Sequence, residues 1–179
     1  MADEYYYGTD GGERNDRKLS ERSVEVDGSS GFMIDTVNGG LHLVDKNFTV
    51  CSNLTKQEFI SSSLYGDVER EHRNDSNDET YVRYYLKPQR IGENRFVLTL
   101  IFEPSGMICM ALLHMLIDDI PLSWDEWSEA KELERKMKHD ELLKNAIGNP
   151  PYKYSWGLIS SNYDPRSGSS NIALNYRLP

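Results

Sequence analysis

Three runs between residues 80 and 116 constrain this chain most: TYVRYYLKP, RFVLTLIFE and GMICMALLHML. Each is rich in the β-branched, aromatic and aliphatic side chains that suit a pleated, half-buried backbone. The links between them, QRIGEN and PSG, are far shorter than the dozen or so residues that a parallel crossover requires. The runs are therefore expected to form an antiparallel meander at the centre of a sheet. The third run is apolar almost throughout, which predicts that both its faces are covered.

The cover is expected from SWDEWSEAKELERKMKHDELLKNAIGNPP, residues 123–151. Ser123 and Glu126 have capping-box spacing, and Asp125, Glu126 and Glu129 suit the positive end of a helix dipole. Arg135, Lys136, Lys138 and Lys144 suit the negative end. Trp127, Ala130, Leu133, Met137, Leu143 and Ile147 recur at helical spacing as an apolar stripe. Gly148 followed by Pro150 and Pro151 is a stop signal, giving a helix over about 123–147.

The remaining segments complete an α+β pattern. GFMIDTVNGGLHLVD reads as a hairpin, with Phe32, Ile34, Leu41 and Leu43 alternating around an Asn-Gly-Gly turn. A short helix is expected near 54–63, capped by Thr55 with Glu58 three residues on. Residues 66–80 hold six acids and two arginines and read as a surface loop. YKYSWGLISS and NIALNYRL read as two strands joined by the turn-rich NYDPRSGSS. The expectation is a mostly antiparallel sheet packed against one long helix, in a single domain over 31–179, preceded by a polar arm over 1–30.

Charge narrows the partners. The 29 acidic and 20 basic residues give a net charge of -9, which opposes binding to nucleic acid or to an anionic membrane surface. The same charge would steer a cationic protein inward. Cys51 and Cys109 belong to no CxxC and read as buried reduced thiols, with no metal or cofactor implied. No apolar run approaches the roughly 20 residues of a membrane span, and MADEYYYGTDGGERNDRK has no signal-peptide pattern, so a cytoplasmic protein is expected.

Nucleotide-binding glycine loops, HExxH and EF-hand spacings are absent. Among the four histidines only His114 lies in an apolar run, with Asp118 and Asp119 following, an arrangement that could supply a general base. SGSS at 167–170, beside Arg166 and Asp164, could hold an anion through backbone N–H groups. The stronger surface signal is residues 118–134, where seven acids face one lysine. Asp118, Asp119, Trp124, Asp125, Glu126 and Glu129 are the expected partner-binding residues, with Trp124 as aromatic anchor.

NLTKQEF, SWDEWSEAKELERKMKHDELL and PPYKYSWGLISSNYDPRSGSSNIALNY resemble a group of small uncharacterised bacterial proteins. That group shares a TxxEF helix, a W-x-x-W-[ST]-E-x-x-E-L helix and a terminal WG…YD-x-R-[SG]-G-S-S strand pair, over residues 31–177 approximately. In size, acidity and lack of catalytic motif these proteins are similar to immunity proteins that neutralise toxins. The resemblance implies a non-enzymatic inhibitor of a basic toxin and carries no catalytic residue. Two alternatives stand beside it: a ligand-binding or hydrolase-like protein built around His114, Asp118 and Asp119, and a structural protein that self-assembles through edge strands.

Overall fold

The computed structural model describes residues 34–76, 79–117 and 124–177. The expected arm over 1–30, Phe32 and the acids Asp118 and Asp119 lie outside the described residues, as does the side chain of Trp124. The chain is α+β, sheet-dominated, with one long helix. Strands β1 (Ile34–Asp35) and β2 (Gly40–Leu43) form the hairpin that the Asn-Gly-Gly signal predicts, and β3 (Phe48–Val50), which no signal marked, pairs with β2 to complete a small antiparallel sheet. Helix α1 (Lys56–Ile60) carries the expected capping box. Thr55 Oγ1 accepts from the Glu58 backbone N–H, and the Glu58 carboxylate accepts from the Thr55 N–H.

The large sheet contains β4 (Val68–Ser76), β5 (Glu79–Leu86), β6 (Gln89–Ile91), β7 (Asn94–Phe102), β8 (Ile108–Met115), β9 (Tyr152–Tyr154), β10 (Gly157–Asp164) and β11 (Ser169–Asn175). Its order is β4-β5-β7-β8-β11-β10-β9, with β6 pairing onto β7. The β5-β7-β8 meander appears where the three runs predict it. The whole sheet is not one meander, because the last strand, β11, inserts next to β8 and leaves β9 at the far edge.

The expected loop over 66–80 is instead largely strand β4, paired with β5 from Val68↔Leu86 to Ser76↔Glu79. Its low apolar content reflects an edge position rather than irregular backbone. Glu69, Arg70, Glu71, His72 and Arg73 are all exposed, and charges of that kind blunt an edge against pairing with another chain.

Register explains where the core lies. Tyr84 pairs with Leu100, Leu100 with Ala111, Leu98 with Leu113, and Leu113 with Ile172, so these side chains share one face. Phe59 of α1 packs on Tyr84 and Phe102 of that face. Leu41, Leu43 and Val50 of the small sheet are buried in the same core. At the β9 end, Trp156 Nε1 donates to Thr36 O and Tyr176 Oη donates to Gly39 O, tying the two sheets together. Gly157, at φ +150°, has no room for a side chain, since a Cβ would sit 1.9 Å from the Asn175 carbonyl oxygen.

Strand β8 is not covered equally on its two faces. Cys109, Ala111, Leu113 and Met115 are buried, whereas Met110, Leu112 and His114 are half-buried. Both cysteines are free thiols, and Cys51 is half-buried rather than buried.

Helix α2 (Glu129–Ile147) begins later than expected. A 3-10 turn occupies Trp124–Glu126, and the cap is Ser128, whose side chain accepts from the Lys131 N–H at 3.3 Å. Ser128→Ala is expected to cost about 1 kcal/mol, read as a lower urea midpoint at unchanged m-value. An unchanged midpoint would assign the helix start to another residue.

The expected apolar stripe is also rotated. Leu133 and Met137 are exposed, and the inward residues are Glu132, Arg135, His139 and Leu143.

Candidate functional site

The inward face of α2 meets the sheet where β8 and β11 part. Their pairing ends at Leu113↔Ile172, and beyond it Met115 and Ser170 present open backbone groups. Buried N–H and C=O groups need partners, and here side chains supply them. Met115 N–H donates to His139 Nε2 at 3.3 Å, and Arg135 Nη1 donates to Met115 O. Ser170 N–H and Oγ–H both donate to Glu132 Oε2 at 2.9 Å, and His114 Nδ1 donates to Ser170 O at 2.8 Å. Arg135 and Glu132 also pair with each other at 3.3 Å, with Arg135 fully buried.

This polar lock fixes the protonation of its histidines. Accepting through Nε2 leaves the proton of His139 on Nδ1, and that atom is buried without a partner among the described residues. Burial is the main cause that depresses His139 to about 3, assisted by His114 and the Arg135 charge. His114 is lowered too, chiefly by burial and against the bond to Ser170. Both rings are neutral at physiological pH.

The lock in turn places an acidic corner. Trp127, expected on the buried stripe, is 40% exposed, and its Nε1 donates to Gly168 O at 2.6 Å. Gly168 adopts a left-handed φ of +58°, which favours glycine, and a Cβ there would crowd the indole at 3.0 Å. Tyr163 Oη donates to Glu129 Oε1 at 3.3 Å. Burial, followed by the Glu129 carboxylate, raises the Tyr163 phenol, which therefore stays protonated. Asp125, Glu126, Glu129 and Asp164 are exposed around this docked indole.

The structure thus brings part of two predicted groups together. Glu129 and the turn holding Asp164 and Arg166 are joined by Tyr163 and by Trp127. Asp164 shapes that turn, accepting from Arg166 N–H and Ser167 Oγ–H at 2.9 Å, and these bonds, Arg166 first, hold its carboxyl below the ordinary range. His114 is not part of the corner. No hydrogen bond joins it to Asp164 or Arg166 among the described residues, and its donor nitrogen is engaged by a backbone carbonyl.

Sequence reasoning passed over Glu132 and His139 as site residues and took Arg135 only as a helix-dipole charge, because it sought an apolar stripe; it placed Ser170 in an anion-holding turn, where the N–H instead meets the Glu132 carboxylate. The available signal was polar: positions 132, 135, 139 and 143 repeat at three- and four-residue intervals on one helix face. Among the described residues no group of three or more His, Cys, Asp or Glu side chains is arranged to hold a metal, and no helix is long and apolar enough to cross a membrane. Compared with known proteins, the chain matches no family model, no curated protein and no solved structure.

Proposed function

We propose that the protein is a non-enzymatic binding protein that captures a basic protein partner at the α2 N-terminal corner. The observation that carries this reading is Trp127: a large aromatic surface, half-exposed yet fixed by its bond to Gly168, among Asp125, Glu126, Glu129 and Asp164. A tryptophan already held in place loses little freedom on binding and can fill a cleft in a partner. The surrounding carboxylates, on a chain of net charge -9, speed the approach of a cationic surface and fix its orientation. The partner class is a basic toxin whose active site the corner occludes, which rests on the immunity-type resemblance of the W-x-x-W-S-E segment and the terminal strand pair.

Co-purification of the tagged protein from its own organism, washed across a salt series, tests this. A stoichiometric basic partner should be captured and lost as salt rises. With that partner purified, Trp127→Ala should weaken binding by about 30-fold or more. Recovery of the protein alone, or a partner held equally by Trp127→Ala and by a Glu126→Lys/Glu129→Lys variant, would remove this function from the corner.

A further inference from the structure

At the opposite end of α2 the charge is reversed. Lys136, Asp140 and Lys144 follow at four-residue intervals and so share one helix face. Across from them stands edge strand β9, bearing Lys153. Between lies a cleft of about 540 Å³, lined on its apolar side by Pro150, Pro151, Tyr152, Leu158 and Ile159.

The three lysines are not equivalent. Lys136 is paired with Asp140 at 2.6 Å, which uses the one carboxylate lining the cleft. Lys144 and Lys153 have no ion pair among the described residues. A lysine in the last turn of a helix offsets the C-terminal carbonyls, which accounts for Lys144 alone. It does not account for Lys153, which comes from a different element and lines the same space. Ser160 adds a hydroxyl. Its oxygen accepts from Asn162 Nδ2 at 2.9 Å, leaving its own O–H without an acceptor among the described residues.

We propose that this cleft binds a small organic anion, a carboxylate or phosphate joined to an apolar body. Lys144 and Lys153 take the head group, and the proline and isoleucine wall takes the body. The volume falls within the roughly 300–1,000 Å³ of small-molecule sites. Two ammoniums without an ion pair among the described residues, beside an apolar wall on a chain of net charge -9, run against the global charge and select a ligand of opposite sign.

Anilinonaphthalenesulfonate, an aromatic body with one anionic group, is the probe, titrated into the full chain and followed by fluorescence. Saturable one-to-one binding is expected. Lys144→Glu/Lys153→Glu should weaken it at least about tenfold, while Trp127→Ala at the acidic corner leaves it unchanged. Both lysines are exposed, and a Lys144→Gln/Lys153→Gln variant carries the same test if charge reversal impairs folding. Competition by octanoate and by octyl phosphate then identifies the head group, whichever displaces the dye more strongly. Unsaturable dye binding, binding indifferent to both lysine pairs, or displacement by neither competitor overturns the proposal.

Discussion

Arg135→Ala is expected to destabilise the fold by about 3–5 kcal/mol, among the largest losses a single substitution in this chain should produce. The guanidinium is fully buried, pairs with Glu132 and donates to Met115 O. Its removal leaves the Glu132 carboxylate buried without its counter-charge and the Met115 carbonyl without that donor. The double variant Glu132→Gln/Arg135→Met should recover much of the loss, because a neutral pair of similar volume removes the uncompensated charge. Glu132→Gln keeps an acceptor for Ser170. Urea denaturation of the single and double variants decides the matter. Equal destabilisation by the two would mean that the lost hydrogen bond to Met115 O, common to both variants, dominates over the uncompensated charge at this position.

Acidification should unfold the protein through its buried histidines before its carboxylates contribute. His139 titrates at about 3 when folded against 6.5 as a free side chain, and His114 is displaced in the same direction. Between those two values the unfolded chain binds protons that the folded chain refuses, so stability falls as pH drops from 6.5 towards 3. Above 6.5 the histidines add no slope. Each group contributes up to about 1.4 kcal/mol per pH unit within its window. Glu58 and Asp164, whose carboxyls hydrogen bonds lower, begin to lose their contribution only below their ordinary values of 4.5 and 3.8. The interval from pH 6.5 to 4.5 therefore isolates the histidines. His139→Gln retains an acceptor for the Met115 N–H but cannot titrate. Its stability should decline less steeply across that interval, with His114 accounting for the remaining slope. Parallel pH profiles for the variant and the parent would show that His139 is not excluded from protonation in the fold.

The sequence carried the local structure well where one residue answers to its immediate neighbours. The capping box of Thr55 and Glu58 depends on four consecutive residues and appears as expected. The β5-β7-β8 meander follows from alternation and short links, which need no distant partner. Gly148 ends α2 as its place before two prolines predicts. Of the acidic corner, Asp125, Glu126, Glu129, Asp164 and Arg166 were all legible as chemistry. Their assembly was not, because it depends on Trp127 reaching Gly168 and Tyr163 reaching Glu129 across 41 and 34 residues of chain.

Composition misled where the environment was unknown. Residues 66–80 read as a loop because six acids and two arginines do not match the composition of a half-buried strand. An edge strand exposes most of its side chains, and charge there is an advantage. The face of α2 was decided by the tertiary structure in the same way. Leu133 and Met137 form the better apolar stripe locally, yet both are exposed. Where β8 and β11 part, Met115 and Ser170 offer backbone donors and acceptors that a purely apolar helix face would have buried unpaired. Unpaired buried groups cost more than two exposed aliphatic side chains. The sequence alone thus determined the central meander, the capped short helix and the end of the long one, through periodicity and capping. Only the tertiary structure decided which way the long helix faces, because that choice is set by hydrogen-bonding groups left open elsewhere in the chain.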